Sequence, residues 1–389
     1  MRTDYPELVA SLAASDSYDD RFNVSASRGD EQLTDLLVTD ASFDWDSSRL
    51  IQGQANFTFA DPDGLLAPKR VDDILAPGGS RIHPVFVFGA GNVRVPLGPY
   101  RIRAAKGNTQ WQYRTVGGSL MWLPSGTVEV QADDETATVW LERLEPVTER
   151  APVAKTVLVE VARLLGGAYP LIDVTGVTDR DIPSGVEYED DRLAVVADLL
   201  EQVGAVYRQR PDGSLQILPA TGLPTDWVIK PGVDGTLISF ETEMDDADLA
   251  NGVTSVREFD DEDGATPPPL IGRSRLTNGP LRWGGPFGKV PVFRGANLAT
   301  TQAQVDADAA TTLTRIAQMG DVPILVETAL NPAVELYDQV TLVLPAFPDP
   351  IAVPGLVQRI SWGATGGVMG KRMSLTVTVN HNILSQIGA

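Results

Sequence analysis

Histidine is the side chain best suited to proton transfer and metal ligation near neutral pH, and this sequence holds only two, His83 and His381. They stand in strand-like segments at opposite ends of the chain with no His-x-x-x-His spacing. A zinc site would therefore need carboxylates gathered from afar. No cysteine occurs, which removes thiolate nucleophiles, Cys-based zinc sites and disulfides together. A Gly-x-Ser-x-Gly elbow is also missing, so a Ser–His–Asp hydrolase has no local signature.

Phosphate and cation loops fail on inspection of single positions. Gly284-Gly285-Pro286-Phe287-Gly288-Lys289 comes nearest to a P-loop, but Val290 stands where Ser or Thr must hold magnesium and Trp283 stands in place of the first glycine. Gly89-Ala90-Gly91 begins like a dinucleotide fingerprint, yet Arg94 takes the third glycine position and no βαβ unit surrounds it. Asp61-Pro62-Asp63-Gly64 and Asp260-Asp261-Glu262-Asp263-Gly264 put acids ahead of a glycine. As calcium loops they would begin at Phe59 or Phe259, which cannot ligate, so they read as turns with solvated acids. Trp111, Tyr113 and Arg114 suggest base stacking, but period two on one strand reads as ordinary packing with a snorkelled arginine. Arg28-Gly29-Asp30 and the sequons at Asn23 and Asn56 are short strings expected by chance. Paired carboxylates for glycoside hydrolysis carry little information, because 52 acids offer pairs everywhere and only their separation in space is diagnostic. The reading is of a protein without catalytic residues, metal or cofactor.

The elements around these positions are mostly strands. From Phe22 to about Leu144, short apolar runs alternate with turns: Leu36 to Val38, Asn56 to Phe59, Pro84 to Phe88, Tyr100 to Arg103, Trp111 to Val116, Gly126 to Gln131 and Ala137 to Leu141. Past Pro152 the period changes. Val157, Leu158, Val161, Leu164 and Leu165 share a helical face that stops at Gly166-Gly167. A second helix, capped by Asp190 or Asp191, buries Leu193, Val196, Ala197, Leu200 and Val203 and ends before Gly204. Ala205 to Leu218 then reads as a hairpin about Pro211-Asp212-Gly213.

A second β-rich region starts near Trp227. A Gly/Pro-rich passage, 260–295, reads as a long loop of the kind used in interfaces. A helix over about 301–319 follows, with Thr301 and Gln304 forming a capping box and Val305, Ala309, Leu313 and Ile316 its buried stripe. Strands return at Ile324 to Thr328, Gln339 to Leu344, Leu356 to Ser361 and Met373 to Val379. The expected fold class is mainly β with an α+β insert: a barrel or sandwich at 1–148, a small α+β module at 149–222, and a second β domain at 223–389.

Lys and Arg number 31 against 52 Asp and Glu in 389 residues, a formal charge of −21. That sign disfavours wrapping by nucleic acid, although acidity can also serve solubility alone. The start, Met1 to Ala14, has Asp4 and Glu7 where a secretion signal needs basic residues. No stretch approaches the ~20 apolar residues of a membrane span, so no anchor and cytoplasmic synthesis are expected.

Several segments, in order, resemble the tail hub (baseplate hub) proteins of long-tailed phages, especially those of actinobacterial phages. Ala60–Pro68, Asp72–Gly79 and Val95–Ile102 carry the most specific part of the match. Arg192–Leu200, Val206-Tyr207-Arg208 and Asp212–Leu215 are similar to the family's helix and hairpin. Asp248–Thr254 with Val256, Gln302–Ile316, Asn331-Pro332 and Tyr337–Val340 resemble its second tube-like domain. The resemblance covers about residues 20–385. It implies two tube-like β domains per chain and a homotrimer whose six domains ring the tip of a siphophage tail. It also implies tail tube, distal tail, tape-measure and other tail-tip proteins as partners, and passage of genomic DNA without specific binding. On this reading Trp283, Phe287 and Phe293 are candidate assembly anchors. A receptor- or carbohydrate-binding tail protein is the alternative, and an Asp/Glu hydrolase a third.

Overall fold

The computed structural model describes residues 21–88, 93–146, 148–182, 185–232, 235–242, 249–258, 268–279, 281–296, 299, 301–318, 322–345, 349–366 and 368–379. The fold is mainly β. In chain order its strands are β1 (Arg21–Arg28), β2 (Glu31–Leu33), β3 (Val38–Asp46), β4 (Gly53–Asp61), β5 (Arg81–Phe88), β6 (Val93–Pro96), β7 (Tyr100–Val116) and β8 (Ser119–Asp134). Helices α1 (Thr136–Leu141) and α2 (Val157–Leu165), β9 (Ile172–Val174), α3 (Arg192–Gln202), β10 (Ala205–Gln209) and β11 (Leu215–Pro219) make the middle. Then come β12 (Leu223–Ile229), β13 (Leu237–Thr242), β14 (Gly252–Arg257), β15 (Leu270–Arg275), β16 (Pro291–Gly295), α4 (Gln302–Gln318), β17 (Val322–Ala329), β18 (Asp338–Leu344), β19 (Ile351–Thr365), β20 (Val368–Met369) and β21 (Arg372–Val379).

The two β-rich regions share one sheet. Strand order runs β13-β17-β21-β19-β3-β4-β8-β7-β5-β1-β2, and the crossing point is the antiparallel pair β3–β19, in register from Arg359 opposite Asp46 to Thr365 opposite Asp40. Alternation then decides the faces. The row Trp362–Phe43–Ala55–Ala132–Ile102 lies on the core side and is buried throughout. Phe43 stacks on Trp362 with ring centroids 4.3 Å apart and meets Phe57, Tyr100 and Phe22 edge-on, so aromatic packing joins the regions where the strands do.

The middle module packs α1, α2 and α3 on the sheet β10-β11-β9 around a core of its own. Asp191 is the cap of α3, accepting from the N–H groups of Leu193 and Ala194. Glu160, fully buried in α2, accepts from the backbone N–H groups of Val153 and Ala154 and from both arms of Arg163, and these bonds hold its carboxyl below the usual range despite burial. Arg208 on β10 ties this module to the C-terminal strands. Its guanidinium lies 3.0 Å from Asp338 and 3.3 Å from Glu335, and donates to the Leu336 carbonyl and to Gln216, all of it buried.

Two expectations change. Ala137 to Leu141 is the end of α1, not a strand. Its β-branched residues suit a strand, but Asp134 accepts from the Thr136 N–H and hydroxyl and turns the chain, leaving Thr136 and Val139 buried on one helical side. The passage 260–295, expected as one loop, contains β15 and β16, which flank β14 in a three-stranded sheet that α4 covers. Short strands set among Gly and Pro gave too few alternating positions to be read. The capping box does form: Gln304 N–H donates to Thr301 Oγ1 at 3.4 Å and Thr301 N–H to Gln304 Oε1 at 3.1 Å.

Candidate functional site

Opposite the core, the shared sheet presents a polar face that crosses both β regions without a break. One row of directly paired residues reads Ser239–Glu327–Ser374–Ser361–Asp44–Gln54–Asp133–Arg101, from β13 to β7. Two further rows read Gly363–Ser42–Asn56–Gln131–Ala104 and Thr365–Asp40–Thr58–Glu129–Lys106. Neutral polar and charged side chains are mixed along these rows, with Gly363 and Ala104 the exceptions.

Charges on this face are largely matched. Arg359 lies 2.9 Å from Asp44, Arg372 3.1 Å from Glu327, Arg103 3.5 Å from Asp133 and Lys106 3.8 Å from Glu129. The pairs made by Asp44, Glu327 and Glu129 are exposed and add little stability, whereas Asp133 is buried. The effect of the four pairs is that these cations are already engaged by carboxylates.

At the end of β8 the face meets a buried acid. Asp134 accepts from Gly53 N–H at 2.6 Å and Thr136 N–H at 2.9 Å, and its removal from water, with Asp133 beside it, raises its pKa to about 6.

Beyond the sheet, β7 and β8 continue as a two-stranded hairpin, closed at Gly117 and Gly118, both with positive φ as the tight turn requires. β4 leaves β8 at Gly126, and β5 leaves β7 near Tyr100. Trp111 is 55% exposed, Tyr113 65% and Trp122 52%, with the Tyr113 and Trp122 rings 4.5 Å apart. The expected ordinary strand packing of Trp111 and Tyr113 is thus corrected, because no core lies beneath them. Period two reports a shared face; it does not report what covers that face.

The three candidate anchors sit in different surroundings. Trp283 is half-buried, its ring against Gly252 and the Arg275 guanidinium 4.6 Å above it, so it holds the small β14–β16 unit together. Phe287 is half-buried in the adjoining turn. Phe293, on β16, is 73% exposed.

His83 Nε2 sits 2.7 Å from Ser27 Oγ, a dyad the sequence did not announce because β1–β5 register creates it. Burial and then Arg81 lower the His83 pKa, while both carboxylate oxygens of Glu135 are engaged by Arg81. Among the described residues no carboxylate is hydrogen-bonded to the imidazole to orient it. His381 and the 260–264 acidic run lie outside the described residues. Asp61, expected to be a solvated turn acid, is buried and accepts from Leu65 N–H at 2.8 Å, with Leu66 and Ala67 N–H nearby. Among the described residues no group of three or more metal-ligating side chains gathers, and no helix is long and apolar enough to cross a membrane.

No family model matches the chain, and no curated protein matches it. Solved structures do. A tail protein from Neisseria meningitidis MC58 aligns with TM-score 0.59 at 12% identity, over 92% of this chain and 96% of its own. The fold is that of phage tail proteins. The 43 kDa tail protein of prophage MuSo2 from Shewanella oneidensis gives TM-score 0.57 at 10% identity, over 92% and 99%. The Francisella PdpA–VgrG complex, half-lidded, gives 0.53 at 8%, over 98% of this chain and 61% of that one.

Proposed function

We propose that this chain is a structural, non-catalytic protein of a phage tail, the trimeric hub at the tip of the tail tube. The observation that carries the reading is the polar face. A single sheet crosses two β regions and keeps one side predominantly polar along three paired rows, with Ala104 and the exposed Leu325 as apolar members, as a wall facing water or a passing polymer allows. Three chains, each giving two β regions, would supply six segments to a ring. The tail fold supports this, and so does the near-complete engagement of the cations on that face, which leaves few contacts for a phosphate backbone to form.

The three-part division at 1–148, 149–222 and 223–389 belongs to the proposal, with the unit of β14–β16 and α4 as an appendage of the third part. Phe293 is the anchor best placed for tail-tube, distal tail, tape-measure or other tail-tip proteins. Location at the virion tail tip and kinship with actinobacterial siphophages are proposed on the sequence resemblance. Native mass spectrometry of the purified chain, with negative-stain imaging, tests the trimer. A mass of three chains and a ring with a central opening is expected, and a monomer at all concentrations would count against it.

A further inference from the structure

Of the strand edges of the shared sheet that stand open among the described residues, β2 and β12 included, two carry complementary features. β7 has no neighbour on its outer side beyond Ile102, and β13 has none on the side away from β17. The β7–β8 hairpin extends roughly 20 Å past its last strand neighbours, by the ~3.3 Å rise of each of its outer residues. It keeps the two faces of the sheet. Lys106, Gln110 and Gln112 continue the polar side, whereas Trp111, Tyr113 and Trp122 continue the core side. The loop after Asp61 covers that core side only at the hairpin's base, where a Cβ on Gly107 would lie 2.4 Å from Ala67 and one on Gly64 would lie 2.7 Å from Pro124. Further out the aromatic face is bare.

An open edge with a bare apolar face is a liability unless an assembly uses it. We infer that the open edge of this hairpin docks on the open edge of β13 in a second copy of the chain, extending the sheet from one copy to the next. Three features select that occupant. The two edges belong to one sheet and differ from each other, so their pairing is head-to-tail and closes into a ring when the rotation per copy allows. The polar faces continue across the joint, because Gln112 and Ser239 both lie on that side. Finally, Arg114 is the only charge between Gly107 and Val128, and Glu241 is the only charge on β13, an opposite pair in a chain of net charge −21. Among the described residues Arg114 makes a long bond, 3.4 Å to the Pro62 carbonyl, within its own copy. Ile238, exposed on β13, with exposed Leu325 on the next strand, adds apolar surface near that edge. This inference deepens the hub reading and rests on it.

The absence of native cysteine makes the test direct. Full-length Gln112→Cys and Ser239→Cys proteins, both at exposed sites, are mixed and treated with a short bis-maleimide, and the cross-linked peptides are sequenced. Links joining position 112 of one copy to 239 of another are expected, with neither variant linking to itself. The double variant should give a covalent ladder ending at the ring's copy number. Arg114→Glu should weaken assembly roughly tenfold or more, since like charges across an interface are strongly disfavoured, and Glu241→Arg in the same chain should restore it. Links between two copies of position 112, or a ring of the right mass with no 112–239 link, would overturn the docking while leaving the hub reading intact. Monomers throughout would overturn both.

Discussion

Lowering the pH from about 7.5 to about 4 should strengthen the contribution of one residue, Asp134, to the stability of the fold. Its carboxyl titrates at about 6 in the folded chain against 3.8 in an exposed acid, because burial penalises the charged form more than its hydrogen bonds relieve it. Between those values the folded state binds the proton and the unfolded state does not. Stability through this group therefore falls as pH rises through the window and is recovered as pH falls. A shift of this size corresponds to about 3 kcal/mol in total, of which about 2–3 kcal/mol is spanned between pH 4 and 7.5. Asp134→Asn supplies the reference, since it cannot ionise. It also turns an amide N–H₂ or a single acceptor toward Gly53 and Thr136, so a constant loss accompanies it. The assay is urea denaturation of both proteins at half-unit pH steps. The difference in unfolding free energy, wild type minus variant, should decline by that amount from pH 4 to 7.5, most steeply from about 4 to 6. A difference that stays flat, or that grows with pH, would refute the assignment of a raised, desolvated acid to this position.

Three more expectations follow from the same geometry. Trp362→Ala removes the ring stacked on Phe43 at the β3–β19 crossing; it should cost about 3–5 kcal/mol and raise amide exchange in both strands together, as hydrogen exchange would show. Arg208→Met keeps the stem but withdraws a buried guanidinium from Glu335 and Asp338. It should cost about 3–5 kcal/mol near neutral pH and less in acid, where burial has already raised the Asp338 pKa, and paired denaturation curves check it. Asp40→Lys with Glu129→Lys leaves Lys106 in a row of three cations on the polar face. Stability should change by under about 1 kcal/mol, while DNA release from particles carrying the change should slow, with normal release counting against the channel reading.

Much of the fold was legible, and the illegible parts share a cause. The two principal helices and α4 carried full apolar stripes with caps at Asp191 and Thr301, so local chemistry settled them. β21, with Leu375, Val377 and Val379 on one side, was equally plain. By contrast, α1 has strand-like residues and is helical because Asp134 turns the chain, a contact between neighbours that no propensity reports. The polar rows were invisible for a stronger reason. Each strand shows its own alternation, but the pairing of Asp44 with Ser361 joins residues more than three hundred positions apart. Nothing in composition fixes that register. For the same reason Trp111 and Tyr113 looked like ordinary strand residues, and Asp61 looked like a solvated turn acid, until their neighbours were in place. Of the residues proposed as anchors in the Gly/Pro-rich passage, Trp283 packs on Gly252 and Arg275 while Phe293 is exposed, a difference set by partners distant in sequence.

The most direct test of the account is imaging of intact virions at a resolution that traces this chain. Three copies forming one ring at the end of the tail tube are predicted, with the rows through Ser361, Asp44 and Gln54 facing the central axis. A chain found on a side fibre, or a ring whose axis is lined by other residues while these rows face outward, would contradict it.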